Sequence, residues 1–529
     1  MTAPWANPEL LRNARIQLRP GRAIAAAIIC AAISLTMWYS FEARPVVGFP
    51  LVNESIQMFT AILQLQVFVL LIGGGIYELL TVHREKELNT FDYQRVTRLS
   101  SFELAVGKLF GAPILTYFIV LCLMPIAIFA AVLGHAPLAA VVEAYAILLV
   151  GCVAFHLLAL LISTTLGRGV SAIAVLPYLI LVAFTSTDYF PERGNPAIIQ
   201  SNWAFHQLNP FAASGAFQSD PPRALVDIFF GVSVSHFIVL MVIYVTLGAW
   251  FLLAIVRNLK RDPAVYELYS PMQAFGFAIY LNVLMLGFFN WKSPAGPPIF
   301  GPSGQLKGFE PVPPSQIEET LLRISFWLFA LLGIVLLRNR ERVRQRIQVL
   351  GDRAAGFWAA LWPAPYVLAG MIVAGLGILE LIRVYRNVST GDWDWGLALV
   401  SIAFFALWLA RDLLYLQWMG LRRTRRPLAS AIIYLIVFYT CTGIIFGVAH
   451  VLLRQSVAPY SAMLIPSGIS SLSVADWAAH YQLWLVALAV LAAEAFLFAF
   501  LQRQKLREFI TPAVVAPVVT PRKPSLMER

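Results

Sequence analysis

Nine ionisable side chains lie within or beside long apolar runs of this 529-residue chain: Glu78, Glu143, His156, Asp188, His236, Glu380, Asp412, His450 and Glu494. Charge is costly in hydrocarbon, so each is a candidate for proton relay, ion coupling or substrate contact. The competing role is pairing with a neighbouring helix. His156, His236 and Glu494 lie deepest, and most of the others fall within a turn or so of a run's edge, where water is within reach. No adjacent carboxylate pair and no Gly-Pro break marks an ion-coupling site.

Other chemistries have weaker support. Asp188, Glu192 and His206 could meet on one side of the membrane as an acid–base group, but no nucleophile or metal-ligand spacing accompanies them. The sequence therefore points to no catalytic residues and no metal site. Cys30, Cys122, Cys152 and Cys441 fall inside apolar runs without CxxC spacing, and are expected as small buried apolar residues. The phosphate-cradling pattern G-x-x-x-x-G-K-[ST] does not occur; the one Gly-Lys, at 107–108, is followed by Leu.

The elements that must hold these residues follow from composition. The chain is 59% hydrophobic and 13% charged, with a mean hydropathy of +0.73. A helix needs roughly 20 apolar residues to cross a bilayer core. Twelve such runs occur, at 24–41, 56–80, 108–133, 143–166, 172–188, 228–256, 272–290, 321–337, 363–385, 395–410, 428–453 and 479–502. None alternates with period two, so helices are expected rather than barrel strands. With the N-terminus inside, 29 of the 39 lysines and arginines fall in inner segments and seven in outer ones. This asymmetry orients the chain with both termini cytoplasmic, and accounts for the net charge of +11 without a nucleic-acid partner.

The expected architecture is an all-α polytopic membrane protein of about twelve transmembrane helices in two six-helix halves. Landmarks recur at an offset near 257 residues. "NPELLRNARIQLRPGRAIA" from Asn7 corresponds to "DPAVYELYSPMQAFGFAIY" from Asp262, and "HQLNPFAASG" around Pro210 corresponds to "AMLIPSGISS" around Pro466. The halves are 1–256 and 257–502, followed by a Pro-containing cytoplasmic tail at 503–529. Two related halves could enclose one central pathway, a common transporter plan. Residues 189–227 and 291–320 are outer connections of unassigned role.

The stretch "REKELNTFDYQRV", 84–96, is mixed in charge and follows the second run directly. Leu88 and Phe91 are three apart and are expected on one helical face, with Arg84, Glu85, Lys86, Glu87, Asp92 and Arg95 on polar faces. Ser100 or Ser101 can cap the next helix with Glu103 in its first turn. Gly107 is expected to let the chain re-enter the membrane, and Lys108 to snorkel.

This segment resembles the permease subunits of exporter-like ABC transporters. There the second span is followed by E-x-E-x-G-T-x-x-x-L, a Pro/Ser turn and a Gly-Lys at the start of the third span. Glu85, Glu87, Thr90, Ser101, Gly107 and Lys108 match; Asn89 stands where Gly is usual and Leu99-Ser100 where Pro is usual. "NPELLRNARIQLR" is similar to the family's surface-lying leader helix, and "LNPF" at 208–211 to its outer-loop phrase. The motif covers about 40 residues and the layout most of 7–256.

The resemblance implies a coupling helix (Arg84, Glu85, Glu87, Leu88, Phe91, Asp92, Gly107, Lys108) that docks on a separate ATP-hydrolysing subunit. Arg340, Glu341 and Arg344 would form a second coupling element. It implies an inner-membrane, multi-pass protein and two ATPase copies carrying ATP and Mg²⁺. No cofactor is expected on this chain, and membrane lipid is its other partner. The substrate is not legible. A proton-coupled secondary transporter using His156 or Glu494 is the alternative, and an enzyme acting on a lipid-linked substrate a third reading.

Overall fold

The computed structural model describes residues 7–42, 53–88, 98–165, 210–217, 226–261, 267–289, 295–300, 306–311, 314–338, 340–350, 361–386, 395–422, 427–453 and 474–509. It also describes Thr90, Phe91, Gln94, Val175, Tyr178, Leu179, Val182 and Leu208. Among them are ten helices long and apolar enough to cross a membrane, and the chain is a helical, multi-pass membrane protein. The run expected at 428–453 is helical, with a described apolar section at Ser430–Phe446. The run at 172–188 lies mostly outside the described residues. Packing divides the chain into two compact units, one of 1–273 with 280–313, the other of 274–279 with 314–529.

The first unit opens with a short helix, α1 (Pro8–Gln17), capped by Asn7 and started by Pro8. Next comes α2 (Pro20–Glu42). Then α3 (Glu54–Phe68), a π-helical segment (Val69–Gly74) and α4 (Gly75–Glu87) run on as one element of 34 residues. At 1.5 Å per residue it is about 51 Å long, against a hydrocarbon core of about 30 Å. The charged stretch therefore begins on the membrane helix itself, which carries it beyond the apolar zone.

The unit continues through α5 (Ser101–Gly111), α6 (Ile114–Leu133) and α7 (Leu138–Thr165). Ser100 and Glu103 close a capping box at the start of α5. The core packs α3, the π segment, α6 and α7 around side chains such as Phe59, Ile62, Leu71, Ala127 and Cys152. "LNPF" opens a 3-10 helix, Pro210–Phe217, whose Phe217 meets Phe59 edge to face at 4.9 Å.

The run expected at 228–256 is divided. A hairpin, β1 (Val226–Phe229) and β2 (Val232–Ser235), precedes α8 (His236–Asn258). Phe230 and Gly231 both have positive φ, 46° and 71°, as a two-residue hairpin turn requires. α9 (Pro271–Phe288) and a second hairpin, β3 (Ala295–Phe300) with β4 (Leu306–Pro311), follow.

The second unit contains α10 (Pro314–Leu336), a basic helix α11 (Arg340–Leu350), α12 (Ala364–Arg386), α13 (Trp395–Gly420), α14 (Pro427–Leu453) and α15 (Val474–Arg507). α13 is its centre, burying Phe404, Phe405, Trp408 and Leu409. The sequence places an inner connection from 411, but α13 continues to Gly420. The reason is pairing: Arg411 and Asp412 neutralise each other inside the bundle, so the helix has no need to end there.

Candidate functional site

At the basic end of the first unit, three elements converge on Lys108. Its side chain is fully buried, with Nζ 2.5 Å from Glu85 Oε2 on α4 and 3.4 Å from Glu9 Oε1 on α1. Arg12 Nη2 donates to Glu9 Oε1 at 2.8 Å and to Glu85 Oε1 at 3.2 Å; Gln94 Nε2 donates to Glu85 Oε1 at 2.8 Å. Two carboxylates and two cations thus balance in a hub tying α1, α4 and α5 together. Lys108 does not snorkel, because paired carboxylates satisfy its ammonium inside the protein.

Gly107 makes the hub possible. A Cβ there would stand 2.7 Å from Asn7 Oδ1 and 2.8 Å from Glu9 Cβ, and one at Gly111 would stand 2.9 Å from Asn13 Nδ2. Both glycines lie inside α5, where they let α1 approach; Gly107 is not a re-entry turn. Asn7 Nδ2 donates to the Glu103 carbonyl and Gln17 Nε2 to that of Ala112, each at 2.6 Å, fastening α1 along α5.

The expected coupling residues divide by exposure. Arg84, Glu87 and Leu88 are exposed, Leu88 to 73%, whereas Phe91 is 3% exposed. Leu88 and Phe91 therefore do not share a face: Leu88 ends α4, and Thr90 N bonds back to the Glu85 carbonyl in a turn. Glu85 and Lys86 also turn inward. Lys86 Nζ donates to the Ser163 and Thr164 carbonyls at 3.1 and 2.7 Å, capping the C-terminus of α7. Asp92 and Arg95 lie outside the described residues. In the second unit Glu341 and Arg344 are exposed, and the Arg340 guanidinium stands 5.3 Å over the Phe509 ring.

A second polar cluster surrounds the π segment. His156 is fully buried, with Nε2 2.8 Å from the Leu70 carbonyl and Nδ1 3.0 Å from the Tyr117 hydroxyl. A carbonyl only accepts, so in the neutral ring Nε2 carries the proton and Nδ1 accepts from Tyr117. Tyr178 donates to the Leu71 carbonyl at 2.6 Å. A π-helix shifts the backbone ladder by one residue, and these two side chains satisfy carbonyls in the shifted stretch. Gly74 and Gly75 admit the His156 and Tyr178 side chains, which a Cβ at either position would strike. Glu78, one turn on, is fully buried rather than near water, because the helix runs past it to Glu87. Neither carboxyl oxygen has a hydrogen-bond partner among the described residues.

The second unit has its own cluster. Arg411 Nη1 reaches Glu494 Oε2 at 3.0 Å, Nε reaches Asp412 Oδ1 at 3.0 Å and Nη2 donates to the Tyr439 hydroxyl at 2.8 Å; Tyr439 donates in turn to Asp412. Arginine, two carboxylates and a phenol thereby join α13, α14 and α15. Assigning Arg411 to an aqueous segment hid the centre of this cluster from the sequence.

The remaining candidates stand apart. His236 is the first residue of α8 rather than deep in a span, because the hairpin occupies the run before it. Glu143 is exposed on α7, and Glu380 is exposed and bonded to Arg383. Cys441 is exposed, unlike the buried Cys30 and Cys152. Asp188, Glu192, His206 and the His450 side chain lie outside the described residues. No family model, curated protein or solved structure matches the chain.

Proposed function

We propose that this chain is the membrane-spanning subunit of an ATP-driven exporter of the ABC class. It would have twelve spans and both termini in the cytoplasm, and would couple to two copies of a separate ATPase that bind ATP and Mg²⁺. One observation carries the reading: the 34-residue α3–α4 element bears the motif residues Glu85 and Glu87 at its end and is fixed there to α1 and α5 through Lys108. A push on exposed Arg84, Glu87 and Leu88 would act on a membrane helix directly, with no flexible joint between. The π segment inside that helix is where bending would concentrate. The basic end faces the cytoplasm by its lysine and arginine excess.

A proton-coupled transporter is the second reading, favoured by the Arg411–Asp412–Tyr439–Glu494 cluster. The discriminating experiment is co-purification of the tagged chain from its native membrane with an assay for associated ATPase, beside an Arg84→Ala/Glu87→Ala/Leu88→Ala variant. Glu85 belongs to the buried hub and Phe91 is itself buried, so substituting either would disturb packing instead. The expected outcome is an ATPase with the wild type and its loss from the folded variant. Absence of ATPase from wild-type complexes sinks the proposal. Proton-gradient uptake in liposomes, abolished by Glu494→Gln, would then decide for the second reading.

A further inference from the structure

At the basic end of the second unit lies a cavity of about 630 Å³ between α11, α13 and α15. This falls within the roughly 300–1,000 Å³ typical of ligand pockets. Its charged lining is Arg340, Arg422, Lys505 and Glu508. Lys505 pairs with Glu508 at 2.7 Å. Arg340 and Arg422 have no carboxylate partner among the described residues; each instead lies over an aromatic ring, Arg422 at 4.1 Å from the Trp418 centroid and Arg340 at 5.3 Å from that of Phe509. Three cations against one carboxylate leave the cavity two positive charges. Ring contacts of this kind hold a guanidinium in place without consuming its N–H donors, which remain free for a planar bidentate acceptor.

Apart from Gln504, the rest of the lining is apolar. Leu421 and Leu501 contribute to it, and Leu421 packs with Val343, Ile347 and Leu506 behind the charged residues. From Trp418 the apolar wall continues along the α13–α15 seam. Phe498 lies 6.1 Å from the Trp418 ring and Tyr415 lies 5.4 Å from Phe498. The neighbouring Leu497 and Phe500 of α15 are exposed. A cationic mouth thus leads to an aromatic track into the apolar zone, which suits a ligand with an anionic head and a hydrocarbon body.

We infer that this cavity binds a phosphate-bearing anion through Arg340 and Arg422, and that the source is the headgroup of an anionic phospholipid in the adjoining leaflet, its chains lying along Trp418, Phe498 and Tyr415. Basic pockets between membrane helices on the cytoplasmic side are suited to such headgroups. The inference is independent of the exporter proposal: it requires no ATPase and applies equally to a proton-coupled transporter.

The test uses the full-length chain, delipidated in detergent. Native mass spectrometry would measure retention of cardiolipin, phosphatidylglycerol and phosphatidylcholine, with inorganic phosphate and pyrophosphate titrated alone and as competitors. Removing both guanidinium charges in Arg340→Gln/Arg422→Gln should weaken retention of the anionic lipids about thirtyfold, from about fivefold for each cation near a membrane surface. Arg503→Gln/Arg507→Gln removes the same charge from exposed positions that do not line the cavity, and should stay within about twofold of wild type, as screened surface charges do. Arg340→Lys/Arg422→Lys keeps the charge and loses the bidentate fork, and should fall between them. Phosphate or pyrophosphate that binds the wild type alone, displaces lipid and is lost from the glutamine variant would uphold the phosphate site with a free anion as its source. Equal weakening in the two glutamine variants, or none in either, overturns the inference. So does a folded Arg340→Gln/Arg422→Gln protein that retains lipid normally and loses a bound protein subunit, which would make the cavity a protein contact.

Discussion

Lys108 and Arg411 show how residue environment outweighs residue type. Each is a cation in a largely apolar chain, and each is buried between carboxylates rather than extended toward water. Removing one partner of such a pair leaves an uncompensated buried charge. Lys108→Met should therefore cost about 3–5 kcal/mol of stability, whereas adding Glu9→Gln and Glu85→Gln should recover most of that loss. Thermal unfolding in detergent, followed by size-exclusion chromatography, measures both. A triple variant no more stable than Lys108→Met would refute the hub as an ion-pair assembly. Arg411→Met should behave in the same way and be largely recovered by Asp412→Asn. Gly107→Ala introduces a Cβ against Asn7 and Glu9, and should destabilise by about 1–3 kcal/mol through overpacking.

At the scale of elements, the 34-residue α3–α4 helix is the central finding. Its two ends serve different surroundings, and the π segment lies between them with His156 and Tyr178 bonded to its carbonyls. Gly74→Ala should displace His156 from the Leu70 carbonyl and drive the segment toward regular α-helix. In the exporter reading, transport should then fall while ATPase association persists, since Arg84, Glu87 and Leu88 remain in place. Measuring transport and co-purification on the same variant separates bending from docking; loss of association would show that the π segment is needed only for folding. α11 is seated by the packing of Val343 and Ile347 on Leu421 and Leu506, an apolar contact that salt does not screen as it screens the exposed Arg12 pairs of α1.

At the scale of the whole molecule, the prediction concerns orientation. The topology expected from the lysine and arginine excess, with the N-terminus inside, puts Arg344 and Glu508 on the cytoplasmic side and His135 on the other. In sealed right-side-out vesicles, with Cys441 replaced, a membrane-impermeant thiol reagent should label His135→Cys at once. Arg344→Cys and Glu508→Cys should react only after permeabilisation. The reverse pattern would invert the topology and, with it, the side on which an ATPase could bind.

Much was settled by the sequence alone. Runs of Leu, Ile, Val and Phe long enough to cross a bilayer demand backbone satisfaction within each segment, so a helical membrane protein follows from composition before any packing is known. A local signal held as well: Ser100 with Glu103 starts α5, because caps depend on a few adjacent residues. Side-chain direction was not legible. Glu85 and Lys86 turn inward and Leu88 outward, because partners on α1, α5 and α7 decide which charges can be buried, and those partners are remote in sequence. Arg411 and Asp412 marked a helix end by hydropathy, which counts charges singly. Only the fold brings Glu494 and Tyr439 beside them and makes the charge tolerable inside the bundle.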